Sequence, residues 1–234
     1  MMPQQPAIVE HMPARPDAVS FETGLIADLY ALPEGFVYLD EAAPGIRWDA
    51  KYATEDNFTG RIVDGYEANR IALSREMAQA LIRAQAIATE KGYRLLVWDA
   101  ARPQRAVDDF VAWSKEPEDG RTKEAHYPSL RKDELFGEYI ARRSGHSRGG
   151  AVDLTLLTPE GEEVDMGSDF DLMDPRSHHG AKGLTKAQQA NRELLCSIMK
   201  QAGLNPYKSE WWHYSLQQEP YPDTYFDFVI GGTP

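Results

Sequence analysis

Two of the chain's six histidines lie near carboxylates in β-prone segments. His146 is followed by Gly149, Gly150 and Asp153, and the glycines permit a sharp turn with a close backbone approach. His146 and Asp153 can therefore converge on one point. A neutral imidazole and a carboxylate are both good zinc ligands, so the spacing predicts two metal ligands in this segment.

The segment Glu210-Trp211-Trp212-His213 offers a third ligand beside another carboxylate. A catalytic zinc commonly takes three protein ligands and leaves one position for water. His213 would complete that set, and Glu210 would be the general base that takes a proton from the activated water. Because residues three apart in a regular strand point to opposite faces, Glu210 is expected in a turn before the strand or at a bulge.

Arg102 ends a β-prone run and precedes Pro103, which makes it a candidate for stabilising the oxyanion of a hydrolytic transition state. The alternative is an ordinary surface salt bridge. The histidines, taken in isolation, also have the alternative of a structural, hydrogen-bonded role. His178 and His179 are rival metal ligands, but no carboxylate base follows them at a useful spacing, which favours a structural role for both.

The spacing of apolar residues predicts the helices and strands that position these residues. A helix is predicted over residues 67–91, because apolar residues recur at three- and four-residue intervals up to Gly92. Thr185 and Gln188 form a predicted capping box for a helix running to Gly203. The other predicted elements are a helix over residues 104–113, a loop over 116–130, and strands over 93–98, 151–156 and 211–216. The pattern predicts an α+β fold, in which helices flank a small antiparallel sheet.

Length and composition favour a single domain. The chain has 234 residues, of which 42% are apolar, and this is enough for one packed core. Residues 1–34 contain five prolines and few apolar residues, so they are expected to form a peripheral or flexible arm before a compact domain over residues 35–234. Cys196 is the sole cysteine, which excludes internal disulfides and cysteine-based zinc sites.

The charge of the chain limits its partners. The formal net charge is −12, and Lys and Arg are scattered, so neither nucleic acid nor an anionic membrane is expected as a partner. The N-terminus lacks the basic flank and uninterrupted apolar stretch of a secretory signal, which predicts a cytoplasmic location. Nothing in the sequence fixes the oligomeric state.

Several motifs together are specific to one family. The motifs are Arg47-Trp48-Asp49-Ala50-Lys51-Tyr52-Ala53-Thr54, Asp56-Asn57-Phe58-Thr59-Gly60, the run from Ser144 to Leu156, Met166-Gly167-Ser168 with Phe170-Asp171, Arg176-Ser177-His178-His179, and Glu210-Trp211-Trp212-His213-Tyr214. With them, the chain from about Tyr38 to Phe228 resembles the D-alanyl-D-alanine dipeptidases of the VanX type, within the wider group of zinc D,D-peptidases.

This resemblance implies a fold of the hedgehog/DD-peptidase kind and the hydrolysis of D-alanyl-D-alanine and similar small D-amino-acid dipeptides. Carried onto the matching positions, it implies one Zn²⁺ bound by His146, Asp153 and His213. It also implies Glu210 as the catalytic base and Arg102 as the stabiliser of the transition state.

The resemblance extends to the substrate site. Asp171 matches the carboxylate that holds the substrate ammonium, while Ser144 and Tyr52 match residues that line the site. One countercharge for each end of a dipeptide would exclude longer peptides.

One departure and two alternatives accompany the resemblance. The family usually has Asp-Gly-Tyr-Arg-Pro where this chain has Asp99-Ala100-Ala101-Arg102-Pro103, and the missing tyrosine predicts a wider pocket beside Arg102. A zinc D,D- or L,D-carboxypeptidase acting on longer wall peptides would use the same metal and base, although the absence of a signal peptide argues against it. A non-catalytic zinc-stabilised binding module is the other alternative, and the retained Glu210 and Arg102 argue against that one.

Overall fold

A computed structural model describes residues 31–232 and contains two sheets. The strands are β1 (Phe36–Tyr38), β2 (Arg47–Trp48), β3 (Ala72–Ser74), β4 (Arg94–Asp99), β5 (Ala151–Leu157), β6 (Leu204–Pro206) and β7 (His213–Leu216). The main sheet has the order β2-β4-β5-β7-β6, and β1 pairs with β3 in a separate antiparallel sheet. All pairs of the main sheet are antiparallel except β2 with β4 at one edge, so the predicted sheet gains one parallel pair.

Helices flank this sheet, which confirms the predicted α+β class. They are α1 (Leu39–Ala42), α2 (Arg75–Glu90), α3 (Gln104–Trp113), α4 (Lys123–His126) and α5 (Lys186–Gln201). Helix α2 packs on β4 and on α5, and α5 packs on β6. Alternation along β5 places Val152, Leu154 and Leu156 on one face and Asp153 on the other, so a single strand serves both the apolar core and a polar site.

Helices α3 and α5 have the predicted positions. Helix α3 has the predicted bounds, and α5 begins after Thr185, whose hydroxyl accepts from the Gln188 backbone N–H while the Gln188 side chain returns to Thr185. This reciprocal pair is the predicted capping box, and it satisfies two backbone donors that a helix start leaves without partners. Within the predicted loop over residues 116–130 the structure adds one helical turn, α4.

The predicted start of α2 at about residue 67 is wrong. Residues 72–74 form β3 instead, and the helix begins at Arg75. The Ser74 hydroxyl accepts from the Met77 backbone N–H, and it also donates to the Gly149 carbonyl at 2.7 Å. Periodicity alone did not reveal the cap, because the residues of β3 are apolar and extend the helical pattern toward the N-terminus.

The arm predicted for residues 1–34 lies almost entirely outside the described residues, since the description begins at residue 31. Within the described part, Leu32 packs against the core. The boundary between arm and domain therefore stays a prediction. Among the helices of residues 31–232, none is long and apolar enough to cross a membrane.

Candidate metal and active site

Strand register brings two of the predicted ligands together. Asp153 on β5 lies directly opposite His213 on β7, and on its other side Asp153 pairs with Asp99 at the end of β4, where the register shifts at a bulge. Side chains of directly opposed residues point to the same face of an antiparallel sheet. A carboxylate and an imidazole therefore meet at the centre of the main sheet.

The turn before β5 brings His146 to the same point. A 3₁₀ turn over His146–Arg148 ends at Gly149, whose φ of 69° is left-handed. A Cβ on Gly149 would lie 2.8 Å from the Phe36 ring, so glycine is required both for the backbone angle and for the close approach. The predicted role of the glycines next to His146 is confirmed at this position.

The three side chains form a compact donor set. The Nδ1 atom of His213 lies 2.9 Å from an Asp153 carboxylate oxygen, and the Nε2 atom of His146 lies 3.3 Å from the other oxygen. The two imidazole nitrogens are 3.1 Å apart. In a tetrahedral zinc site with bonds of about 2.0–2.2 Å, neighbouring donor atoms are roughly 3.3 Å apart, so this spacing fits the ion.

Hydrogen bonds to the far sides of the rings support this arrangement. The Nδ1 atom of His146 lies 2.7 Å from the Ala100 carbonyl, which can only accept, so Nδ1 carries the proton and Nε2 keeps its lone pair for a metal. The Nε2 atom of His213 faces the Ser215 hydroxyl at 3.4 Å. Within residues 31–232, the group of His146, Asp153 and His213 is the one that could hold a metal ion.

Glu210 lies in a turn immediately before β7. Its backbone N–H donates to the Tyr207 carbonyl, and its carbonyl accepts from the His213 N–H, so the expectation of a turn before the strand is confirmed. One Glu210 carboxylate oxygen lies 3.8 Å from Nδ1 of His213. Burial raises the pKa of Glu210 to about 7, a value that suits a group exchanging protons near neutral pH.

Arg102 is fixed by buried carboxylates and does not belong to an exposed ion pair. Its guanidinium contacts Asp99 at 2.9 Å and Asp153 at 3.3 Å, while its side chain is 12% exposed. Asp99 also accepts from the Tyr66 hydroxyl at 2.6 Å. The Tyr66 hydroxyl also interacts with the Arg102 guanidinium, so the side chain is held by a tyrosine as well as by two carboxylates.

Two of the three predicted substrate residues are in direct contact, and the third contacts the turn of His146. Tyr52 donates from its hydroxyl to Asp171 at 2.8 Å, and Asp171 has a left-handed φ of 57°, a conformation that is uncommon for residues other than glycine. Burial, and then the nearby Asp153 charge, raise the pKa of Asp171 well above its ordinary value. The Ser144 hydroxyl accepts from the His146 backbone N–H at 3.2 Å.

All eight residues selected from the sequence line one cavity of about 320 Å³. They are Tyr52, Arg102, Ser144, His146, Asp153, Asp171, Glu210 and His213. Ala100 and Ala101 are buried but do not line this cavity, and the Ala101 N–H donates to the Ala72 carbonyl of β3. The departure from the family motif therefore lies at residues outside the cavity lining, and the widening beside Arg102 stays a prediction.

The structure also shows residues that sequence reasoning missed. Asp99 and Tyr66 fix Arg102, and the ring of His126 hydrogen-bonds the Asp171 carbonyl at 3.2 Å. Asp99 was recognisable as the strand-end carboxylate three residues before Arg102, whereas the other two have no local signal. His178 and His179 lie outside the metal group, and burial lowers the pKa of His179 to about 4.

Comparisons with known proteins agree with this arrangement. The family model described as D-ala-D-ala dipeptidase, within the peptidase M15 group, matches residues 33–230. A D-alanyl-D-alanine dipeptidase of Streptomyces coelicolor is 57% identical over 197 residues, covering 83% of this chain and 98% of that protein. Proteins of the same name from Enterococcus faecalis and Escherichia coli are 53% and 36% identical, covering 85% and 81% of this chain and 100% and 91% of their own lengths.

These matches define the class of the protein as a metallopeptidase of the M15 group. Within that group, the chain belongs to the D-ala-D-ala dipeptidase family.

Proposed function

We propose that this protein hydrolyses D-alanyl-D-alanine and similar small D-amino-acid dipeptides with one zinc ion held by His146, Asp153 and His213. The observation that carries the proposal is the donor set, whose two imidazole nitrogens and carboxylate oxygens are 2.9 to 3.3 Å apart beside the buried Glu210. The D-alanyl-D-alanine dipeptidases that resemble this chain support the choice of substrate.

The residues of the chain divide the reaction between them. A bound zinc ion supplies Lewis acidity, which lowers the pKa of a water molecule and polarises an amide carbonyl. Glu210 takes the proton of the attacking water on a carboxylate oxygen and then delivers it to the leaving amine. Arg102 places its positive charge near the developing oxyanion, and its ion pairs with Asp99 and Asp153 keep it from moving away.

The substrate residues restrict the length of the peptide. Asp171, oriented by the Tyr52 hydroxyl, binds the free ammonium of the dipeptide. Because a carboxylate that leaves water needs a compensating charge, a peptide without an ammonium at that position leaves Asp171 unpaired, which disfavours binding. Ser144 completes the wall beside His146. A cytoplasmic location remains a prediction from the sequence.

The test is release of D-alanine by zinc-loaded protein. We expect turnover of D-alanyl-D-alanine and little turnover of a wall tripeptide or pentapeptide ending in the same two residues. Faster cleavage of the longer peptides would replace the proposal with a carboxypeptidase. Zinc binding without turnover of either substrate would indicate a binding module.

A further inference from the structure

Two arginines line the candidate active-site cavity, and only one of them is already paired with carboxylates. Arg102 is held by Asp99 and Asp153 in the buried network. Arg143 lines the same cavity, is exposed, and forms no ion pair with any residue between 31 and 232. Glu138 is the other charged residue of the same segment that lines the cavity, and it is not ion-paired with Arg143. The charge of Arg143 is therefore available to a bound molecule.

An aromatic ring holds Arg143 without using its hydrogen-bond donors. The Arg143 guanidinium carbon lies 4.7 Å from the centroid of the Tyr225 ring. The Tyr225 hydroxyl accepts from Arg148 at 3.2 Å, and Arg148 is itself paired with Glu219 at 2.6 Å. Stacking on an aromatic face attracts the guanidinium while its N–H groups remain free in the plane. Arg143 is thus positioned at the cavity with its donors free to bind an anion.

The position of Arg143 in the chain places it next to a second donor. Ser144 follows it directly, and the Ser144 oxygen accepts from the His146 N–H, while its own proton has no acceptor among the described residues. Both residues line the cavity, so together they can offer a guanidinium and a hydroxyl to a bound molecule. Such a pair suits a carboxylate, which accepts several hydrogen bonds and matches the planar guanidinium.

The proposed substrate carries such a carboxylate. A dipeptide is a zwitterion whose ammonium and terminal carboxylate lie about 7 Å apart when the chain is extended. Asp171 is the group assigned to the ammonium, and the scissile amide between the two ends must face the metal ligands. We propose that Arg143, assisted by the Ser144 hydroxyl, binds the terminal carboxylate and is a specificity-determining residue for substrates that end at that position. This inference rests on the proposed function.

The test compares two substrates that differ only in that charge. They are D-alanyl-D-alanine and D-alanyl-D-alaninamide, hydrolysed by zinc-loaded wild type, Arg143→Met and Arg142→Met. Arg142 is the matched control, because it is an exposed neighbour that stacks on Phe136 and does not line the cavity. A charge-assisted hydrogen bond contributes enough that its loss lowers kcat/KM by about 10- to 100-fold.

We expect Arg143→Met to show that loss for the free acid, mainly through a higher KM, and to change kcat/KM for the amide by less than about twofold. Arg142→Met should change neither substrate by more than about twofold, and Arg143→Lys should recover part of the loss because it keeps the charge.

Equal losses for the acid and the amide in Arg143→Met would overturn the inference, since they would reveal a structural role. Unchanged kinetics would overturn it too, because the carboxylate would then be bound elsewhere. Failure of the proposed function has a different signature, in which the wild type hydrolyses neither substrate. The inference would then fall with it.

Discussion

The two sides of the catalytic cavity are built differently. On one side, Asp153 and His213 occupy opposed positions on neighbouring strands, and their spacing follows from sheet register. On the other side, Asp171 and Arg143 lie in irregular segments and are held by individual contacts with Tyr52 and Tyr225. We infer that the sheet side fixes the chemistry, whereas the loop side selects the substrate. Mutations on the two sides should differ in their effects, because loop residues tolerate substitution better than residues whose place is fixed by strand pairing.

The largest effect is expected on the sheet side. His213→Ala removes one of the three proposed zinc ligands, so the purified variant should retain little zinc and lose more than about 1,000-fold in kcat/KM. Elemental analysis and the rate of D-alanine release measure the two effects. His178→Gln is the control and should keep both, because His178 lies outside the metal group. Full zinc occupancy in His213→Ala would remove the metal assignment.

The second largest effect is expected at Glu210, where a substitution should lower kcat without loss of the metal ion. Glu210→Gln keeps the shape of the side chain and cannot accept the proton, so kcat should fall by about 10²- to 10⁴-fold while zinc is retained. Glu138→Gln changes another carboxylate that lines the cavity, and it should keep kcat within a few-fold of wild type. Near-normal turnover of zinc-loaded Glu210→Gln would show that a different group takes the proton.

A smaller effect is expected on the loop side. Tyr52→Phe keeps the ring that packs against Phe110 and Phe170 but removes the hydroxyl donated to Asp171. Loss of one hydrogen bond to a charged group should raise KM for D-alanyl-D-alanine by about 10-fold with a smaller change in kcat. Steady-state kinetics with zinc-saturated enzyme measure both constants. A fall in kcat at constant KM would place Tyr52 in the chemistry and break the division between the two sides.

The smallest effect on catalysis is expected at Ala101, which is buried next to the cavity lining but is not part of it. Ala101 is 2% exposed and lies outside the cavity, so Ala101→Tyr should overpack the core and lower the free energy of unfolding by about 1–3 kcal/mol. The preference between small and bulky dipeptides should stay the same in the folded variant. Urea unfolding measures the first effect, with Ala86→Tyr on the exposed face of α2 as the control. A changed preference between small and bulky dipeptides would show that position 101 does influence the substrate site.

The parts of the site that the sequence could predict lie in segments with local signals. The proposed ligands, the proposed base and Arg102 lie at strand ends or in short turns, where glycines, alternation and β-propensity leave local signals, and the resemblance to the family suggests their roles. The turn at Glu210 followed from the two-residue period of strands alone. The helix bounds of α3 and α5 were equally accessible, since apolar spacing and a capping box are local features.

The remaining features depend on contacts between distant parts of the chain. The start of α2 was missed because the pairing of β3 with β1 overrides an apolar pattern that also suits a helix. Ala101, which does not line the cavity, hydrogen-bonds Ala72 of β3, and that contact between distant residues has no local signal. Arg143 had no signal, because its role depends on Tyr225, which lies 82 positions further along the chain (225 − 143).

The Ser74 hydroxyl connects the start of α2 with the turn before β5. It caps α2 and holds the Gly149 carbonyl in the turn that presents His146, although 75 positions separate the two residues. The turn that presents His146 is therefore supported by a contact with a distant part of the chain. A ligand that binds only the folded state stabilises it by mass action, so a metal ion held by the proposed ligands should slow proteolysis of the protein. The bound ion would then increase the free energy of unfolding in addition to its proposed role in the reaction.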